Sequence, residues 1–231
     1  MQFVHRRVGV AGIAWRTMHT YPKYVPPSQR AVVKLVRDNP FALTVSAVPG
    51  QPPVASHLPL ILPPDVDPDA SLEGVTLLGH MGRANPQWRQ FGEPHPVLLV
   101  FSSSHGYVSP QLYDFTPAAP TLDYAAVHLT GEVELIDTDA GALEVVGATV
   151  TALESLRPTQ WDPDTSRQLF ERIVPRVVAF RVRVTGQQAM FKLSQDMSDP
   201  VRENVRKDFA TGPHPHPQLV RLMDDLEEHR S

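Results

Sequence analysis

An antiparallel β-barrel with helices outside it, mainly β and of the α+β class, is the fold this sequence predicts. Three observations predict it. Six or seven short apolar segments recur along the chain with Gly- or Pro-bearing turns between them. The segment 176–184 and the end of 124–136 alternate apolar and polar residues, as half-buried strands do. The helical patterns fall between these segments or at the chain ends.

Taken in order, Ser28 caps a helix through about Asp38, with Val32, Val33, Leu35 and Val36 on its apolar face and Asn39-Pro40 to stop it. Residues 41–48 and 54–62 read as a hairpin across the turn Pro49-Gly50-Gln51-Pro52. Pro59 cannot donate to a sheet ladder, so the second strand bulges or forms an edge there and leaves backbone groups for a ligand. An acidic, proline-rich loop fills 63–74, and Val75-Thr76-Leu77-Leu78 reads as a short buried strand. Residues 96–104 give the next apolar strand, and Ser102-Ser103-Ser104-His105-Gly106 turns the chain into Tyr107-Val108-Ser109-Pro110. The long strand 124–136 kinks at Gly131, with Val133 and Leu135 inward and Glu132 and Glu134 outward. Asp137 or Thr138 caps a helix to about Ser155, with Leu143, Val146, Val150 and Leu153 on one face. Trp161 lies in a proline-flanked loop before a short helix at 165–172. The strand 176–184 is turned by Gly186, and 190–195 reads as a last short strand. Asp199-Pro200 opens a polar helix to about Phe209. The stiff stretch Gly212-Pro213-His214-Pro215-His216-Pro217 leads to a charged helix at 219–229. The chain divides into an extension at 1–17, a barrel domain at 18–211, and a linker with terminal helix at 212–231.

Composition removes several functions. The 231 residues contain no cysteine, which excludes disulfides, thiolate metal sites and cysteine nucleophiles. Net charge is −4 with no basic run, which argues against tight, nonspecific nucleic-acid binding. No apolar run approaches the ~20 residues of a membrane span. His5-Arg6-Arg7 and the apolar residues after it faintly resemble a signal peptide, but the run is short and Trp15-Arg16 makes a poor cleavage site. The first 17 residues read as a disordered or loosely docked extension of a cytoplasmic protein, and Met18 is a candidate natural start.

The most informative stretch is Gly79-His80-Met81-Gly82-Arg83-Ala84-Asn85-Pro86-Gln87-Trp88. It carries a strand through two glycines and an arginine into a helix start, with Asn85 as N-cap and Pro86 at the first helical position. Free backbone N–H groups, a positive dipole end and a guanidinium together suit a phosphate. The plain alternative is an ordinary corner with a solvated arginine. No Gly-x-Ser-x-Gly elbow, Rossmann glycine pattern or Walker loop occurs. The ten histidines form no helical His-x-x-x-His pair, so no metal site is expected. What remains is a polar set at strand ends: Ser56, His57, His80, Arg83, Asn85, Tyr107, Ser109, Tyr124, Lys192, Ser194 and Gln195. Trp88, Tyr107, Tyr113 and Tyr124 add flat apolar surface, and the whole suits a planar, phosphorylated ligand.

Several segments together resemble the PaiB-type FMN-binding proteins. They are Tyr21-Pro22-Lys23-Tyr24, Ser56-His57-Leu58-Pro59-Leu60, the Gly79–Trp88 stretch, Tyr107-Val108-Ser109-Pro110, Val127-His128 with Gly131, and Lys192-Leu193-Ser194-Gln195. Their order and spacing match across residues 21–209. The resemblance implies an FMN-binding split barrel, related to pyridoxamine-phosphate oxidases, that works as a homodimer with flavin at the subunit interface. It implies that Ser56, His57, Leu58 and Pro59 run along the flavin ring. His80, Met81, Arg83 and Asn85 would hold ring edge and phosphate, with Arg83 first for the phosphate. Tyr124 would also bind the cofactor, and the Lys192–Ser194–Gln195 stretch would close the site from the partner subunit. Lys192 would pair with phosphate or with the N1/O2 side of a reduced flavin. No catalytic acid or base is singled out; His57 and His80 are candidates, each first as a donor to the ring.

Two segments depart from the family pattern. Leu122-Asp123-Tyr124 stands where a Trp-Asn-Tyr sequence is usual, and Gly82 stands where a larger residue is common. Both bear on the substrate pocket more than on the flavin. The functional expectation is an oxidoreductase using FMN between a small organic substrate and NAD(P)H or oxygen. The alternatives are a PaiB-like negative transcriptional regulator and a split barrel that binds F420 or haem.

Overall fold

The computed structural model describes residues 17–91, 95–159 and 161–228. Nearly all of the expected extension, residues 1–16, lies outside them. Thr17 is described and docks: its backbone N–H and its hydroxyl both donate to Gln188 Oε1, at 2.7 and 2.8 Å.

Seven strands form the sheet: β1 (Phe41–Ser46), β2 (Val54–Ile61), β3 (Thr76–Gly82), β4 (His95–Ser102), β5 (Gly106–Val108), β6 (Thr121–Ile136) and β7 (Val177–Lys192). Their order is β4-β1-β2-β3-β7-β6-β5, and a further β4–β6 pairing closes six of them into an antiparallel barrel. Closure leaves β5 as a short flap on β6 and removes the long edges that invite aggregation. The barrel interior holds Phe101, Phe180, Phe191, Leu60, Leu77, Leu99 and Leu129, all fully buried. Five helices lie outside it: α1 (Gln29–Asp38), α2 (Asp139–Glu154), α3 (Arg167–Ile173), α4 (Asp199–Thr211) and α5 (Pro217–Glu228). Ser28 Oγ accepts from Ala31 N and Thr138 Oγ1 from Gly141 N, so both expected caps form. α1 buries Val32, Val33, Leu35 and Val36, while α4 and α5 add Val205, Phe209, Leu219 and Leu226 to the same core. Among the described residues no helix is long and apolar enough to cross a membrane.

Two expected boundaries differ. The turn at Gly186 does not form, because β6 is long enough to pair both halves at once. Gly131 pairs with Val184 and Thr130 with Gly186, so Thr185 is accommodated as a bulge and the strand runs on to Lys192. Gly131 is needed there, since a Cβ would come within 2.5 Å of Val182 Cγ1 and 2.8 Å of Arg183 O. β3 also outruns its expected end at Leu78, because β7 pairs it as far as Gly82. Gly79 is therefore a core position, where a Cβ would sit 2.7 Å from both Leu60 Cδ2 and Phe180 Cζ. Gly79→Ala is expected to lower stability by about 1 kcal/mol, the low end for overpacking, because both atoms end side chains that can shift. Urea unfolding checks this, and an unchanged midpoint would show that the space exists.

Candidate functional site

The barrel is split between β2 and β3. These strands pair only at Leu60↔Gly79 and Ile61↔Leu78. Beyond that point β2 pairs with β1, and β3 from His80 to Gly82 pairs with β7. Pro59 sits at the fork, where its missing N–H takes a donor out of the ladder. Leu58 and Met81 turn inward and are buried, so these two expected cofactor residues serve the core with their side chains. His57 and Gly82 stay exposed on the outer side, and a Cβ at Gly82 would meet nothing within 4 Å. Asn85 Nδ2 donates to Ser56 Oγ at 2.8 Å and ties the two lips together.

The lip that carries Arg83 is held from beneath. Pro86–Phe91 forms a 3-10 turn, with Asn85 Oδ1 accepting from Gln87 N at 3.0 Å. The expected helix start forms at Pro86 with Asn85 as its cap, but as six residues of 3-10 rather than α-helical geometry, with the side chain of Gln87 taken up by β1 and β2. Buried Gln87 donates to Thr44 O at 3.0 Å and to Ser46 Oγ at 3.1 Å. Trp88 Nε1 donates to Arg83 O at 3.0 Å. Arg83 donates from Nε to Pro175 O and from Nη2 to Val177 O, both at 3.0 Å, with its guanidinium 5.8 Å from the Trp88 ring centre. The remaining N–H groups of an exposed guanidinium stay available for an oxyanion. His80 lies on the outer side of β3, its Nδ1 3.4 Å from Thr149 Oγ1 on α2, and burial pushes the imidazole below its ordinary pKa. His57 stacks on Phe41 instead, ring centres 5.5 Å apart.

A second polar cluster stands at the other end of β7. Tyr124 pairs with Lys192, and Lys192 Nζ donates to Thr121 Oγ1 and to Leu122 O. Around them lies a chamber of about 790 Å³ lined by Tyr21, Lys23, Tyr24, Tyr107, Tyr124 and Lys192, among others. Lys23 and the Tyr24 hydroxyl both donate to Asp196 Oδ2, at 2.6 and 3.0 Å. Burial pushes Asp196 up, but these hydrogen bonds outweigh it and hold the carboxyl below its ordinary pKa. Lys23 is pushed up to about 12 by the same contact with Asp196. Ser194 and Gln195 close the turn after β7: Ser194 Oγ donates to Asp123 Oδ2 at 2.7 Å, and Gln195 Oε1 accepts from Leu193 N at 2.7 Å. The expected site residues thus fall into two groups, at Val177 and at Lys192, the ends of a strand that rises about 3.3 Å per residue. Sequence reasoning passed over Gln87 and Lys23, although each lies inside a motif it singled out. Asp123 drew notice only as a departure.

A family model described as "Putative FMN-binding domain" matches residues 18–186. The chain belongs to this FMN-binding family. The Bacillus subtilis protein named protease synthase and sporulation protein PAI 2 is 31% identical over 208 residues, covering 88% of this chain and 96% of the relative. An uncharacterised Aspergillus fumigatus protein is 28% identical over 221 residues, covering 76% of this chain and 84% of its own. Among solved structures, the FAD and heme binding protein of Mycobacterium smegmatis superposes with a TM-score of 0.51 at 16% identity, over 78% of each chain. Rv2991 of Mycobacterium tuberculosis gives 0.51 at 9% identity, over 78% of this chain and 94% of its own. At such identities the likeness is one of fold, and the fold is the FMN-binding split barrel.

FMN is the cofactor of this FMN-binding family member, and the split fits it. Strand edges that leave ladder groups unpaired offer donors and acceptors to a flavin edge. The open space at Gly82 admits a flat ring beside His57. Arg83, held by carbonyls on one side only, suits the phosphate.

Proposed function

We propose that two copies of this chain bind FMN between the β2/β3 split of one and the β6/β7 tip of the other, and use it as an oxidoreductase. The substrate is a small organic molecule and the redox partner is NAD(P)H or oxygen. Bound FMN supplies hydride or electron-pair transfer, while the protein binds, orients and excludes water. Ser56, His57 and Pro59 border the ring, and Arg83 and Asn85 take the phosphate. His80, kept neutral by burial, donates toward the ring edge. Tyr124 and Lys192 of the second copy form the closing wall. The observation that supports this arrangement is the separation of the two polar clusters along β7, which a two-fold dimer would cancel.

The test mixes two defective chains. Arg83→Glu spoils one half-site and Lys192→Glu the other, so each pure variant should lose FMN fluorescence quenching. An equimolar co-refolded mixture should regain about a quarter of its sites, since about half of the dimers are mixed and each of these has one intact site of two. Recovery of none, or a colourless wild-type protein that ignores added FMN, rejects the arrangement. The second reading is a negative transcriptional regulator, as the resemblance implies; the Bacillus relative is named for protease synthase and sporulation. Sequence-specific retention of DNA from its own upstream region across a salt series would put that reading first.

A further inference from the structure

The chamber at the β6/β7 tip is larger than a closing wall requires. It is an open pocket whose volume of about 790 Å³ falls within the range of small-molecule sites. Tyr21, Tyr107 and Leu122 expose 48, 58 and 46% of their surfaces around it, a concentration of apolar surface that a soluble chain ordinarily covers. Its two cations differ. Lys23 has a carboxylate partner in Asp196. Lys192 donates only to neutral oxygens, Thr121 Oγ1 and Leu122 O, and makes no carboxylate ion pair among the described residues, although the buried Asp123 carboxyl lies close enough to feel its charge. Its ammonium stands 5.7 Å from the Tyr24 ring centre, and an ammonium has a third N–H to give. A cation fixed by two neutral acceptors, beside tyrosine rings, keeps a donor that a charge-assisted bond to an anion would use.

We propose that this chamber is the substrate pocket and that it selects a small planar anion, a ring bearing a carboxylate. The carboxylate meets Lys192, and the ring lies among Tyr24, Tyr107 and Tyr124. The inference rests on the FMN reading above for the identity of the flavin beside the chamber, but binding of the anion does not require flavin chemistry. It also divides the anion-binding work: Arg83 takes the cofactor phosphate, while Lys192 walls the flavin and keeps its third N–H for the substrate carboxylate.

Benzoate and its neutral isostere benzamide are the probes, titrated calorimetrically into the full-length protein in its FMN-loaded and FMN-stripped forms. Benzoate should bind saturably in both, and benzamide at least about 10-fold more weakly, the value of one charge-assisted hydrogen bond. Lys192→Gln should bring the two probes to within about twofold of each other. The wild-type comparison stands even where that variant misfolds. Equal affinity for the two probes, absence of saturable benzoate binding, or stoichiometric displacement of benzoate by FMN would overturn the inference. A protein that binds benzoate selectively yet takes up no FMN would sink the flavin assignment and leave the anion pocket standing.

Discussion

Arg83→Ala is expected to weaken FMN binding by roughly 10- to 100-fold, the worth of a charge-assisted, bidentate contact to phosphate. The size follows from how the side chain is held. Pro175 O and Val177 O each accept one of its N–H groups at 3.0 Å, and the Trp88 ring lies alongside. The fork is therefore ordered before a ligand arrives, and little rotamer freedom is lost on binding. Arg83→Lys should recover only part of the loss, because a compact ammonium lacks the planar fork whose Nε and Nη2 reach the two carbonyls while the other N–H groups face an oxyanion. Fluorescence titration of FMN at two salt concentrations tests both variants, and the wild-type advantage should shrink at the higher one. A thermal melt supplies the control, since the two carbonyls lose their donor in either variant. Affinity in Arg83→Ala equal to that of the parent would remove Arg83 from the site.

The barrel was legible in the sequence because its signals are local. Alternation at 176–184, the proline at 59 and the Ser28 cap each act within a few residues. The merging of 176–184 with 190–195 was not legible, since it depends on a partner strand 16 residues long on the other side of the barrel. Gly186 is a turn residue by composition and a bulge neighbour by pairing, and only the pairing decides. The site shows the same division. Arg83 and Asn85 could be singled out from their place after a strand, yet the helix expected behind them is a 3-10 turn held by Gln87. The two carbonyls that orient Arg83 come from residues about ninety positions away, so no local pattern announces them. The resemblance joins Lys192 to Arg83 only across the partner subunit, and within one chain β7 sets Lys192 and Tyr124 at the end far from Arg83.

Asp123 provides the clearest consequence of a buried charge. Its side chain is fully buried, Oδ2 accepts from Ser194 Oγ at 2.7 Å, and Oδ1 has no hydrogen-bond partner among the described residues. Ser194 is itself held at φ 56°, in the left-handed region. Burial pushes the Asp123 carboxyl up to about 6, against the hydrogen bonds from Ser194 and the charge of Lys192, which favour the ionised form; Asp196 adds to the rise. The sign follows from proton binding. Between the unfolded value, 3.8, and about 6 the folded protein keeps a proton that the unfolded chain has released. Stability from this group is therefore fully present below 3.8 and is lost as pH rises through about 6. A rise of roughly two pKa units corresponds to about 3 kcal/mol. Asp123→Asn cannot ionise, so its stability relative to the parent should improve by about 3 kcal/mol between pH 3.5 and pH 8, whatever the fixed cost of placing an amide there. Paired urea unfolding curves at the two pH values read the difference directly. A gap between variant and parent that stays constant with pH would mean that Asp123 is ionised throughout, its free oxygen satisfied by a donor such as bound water.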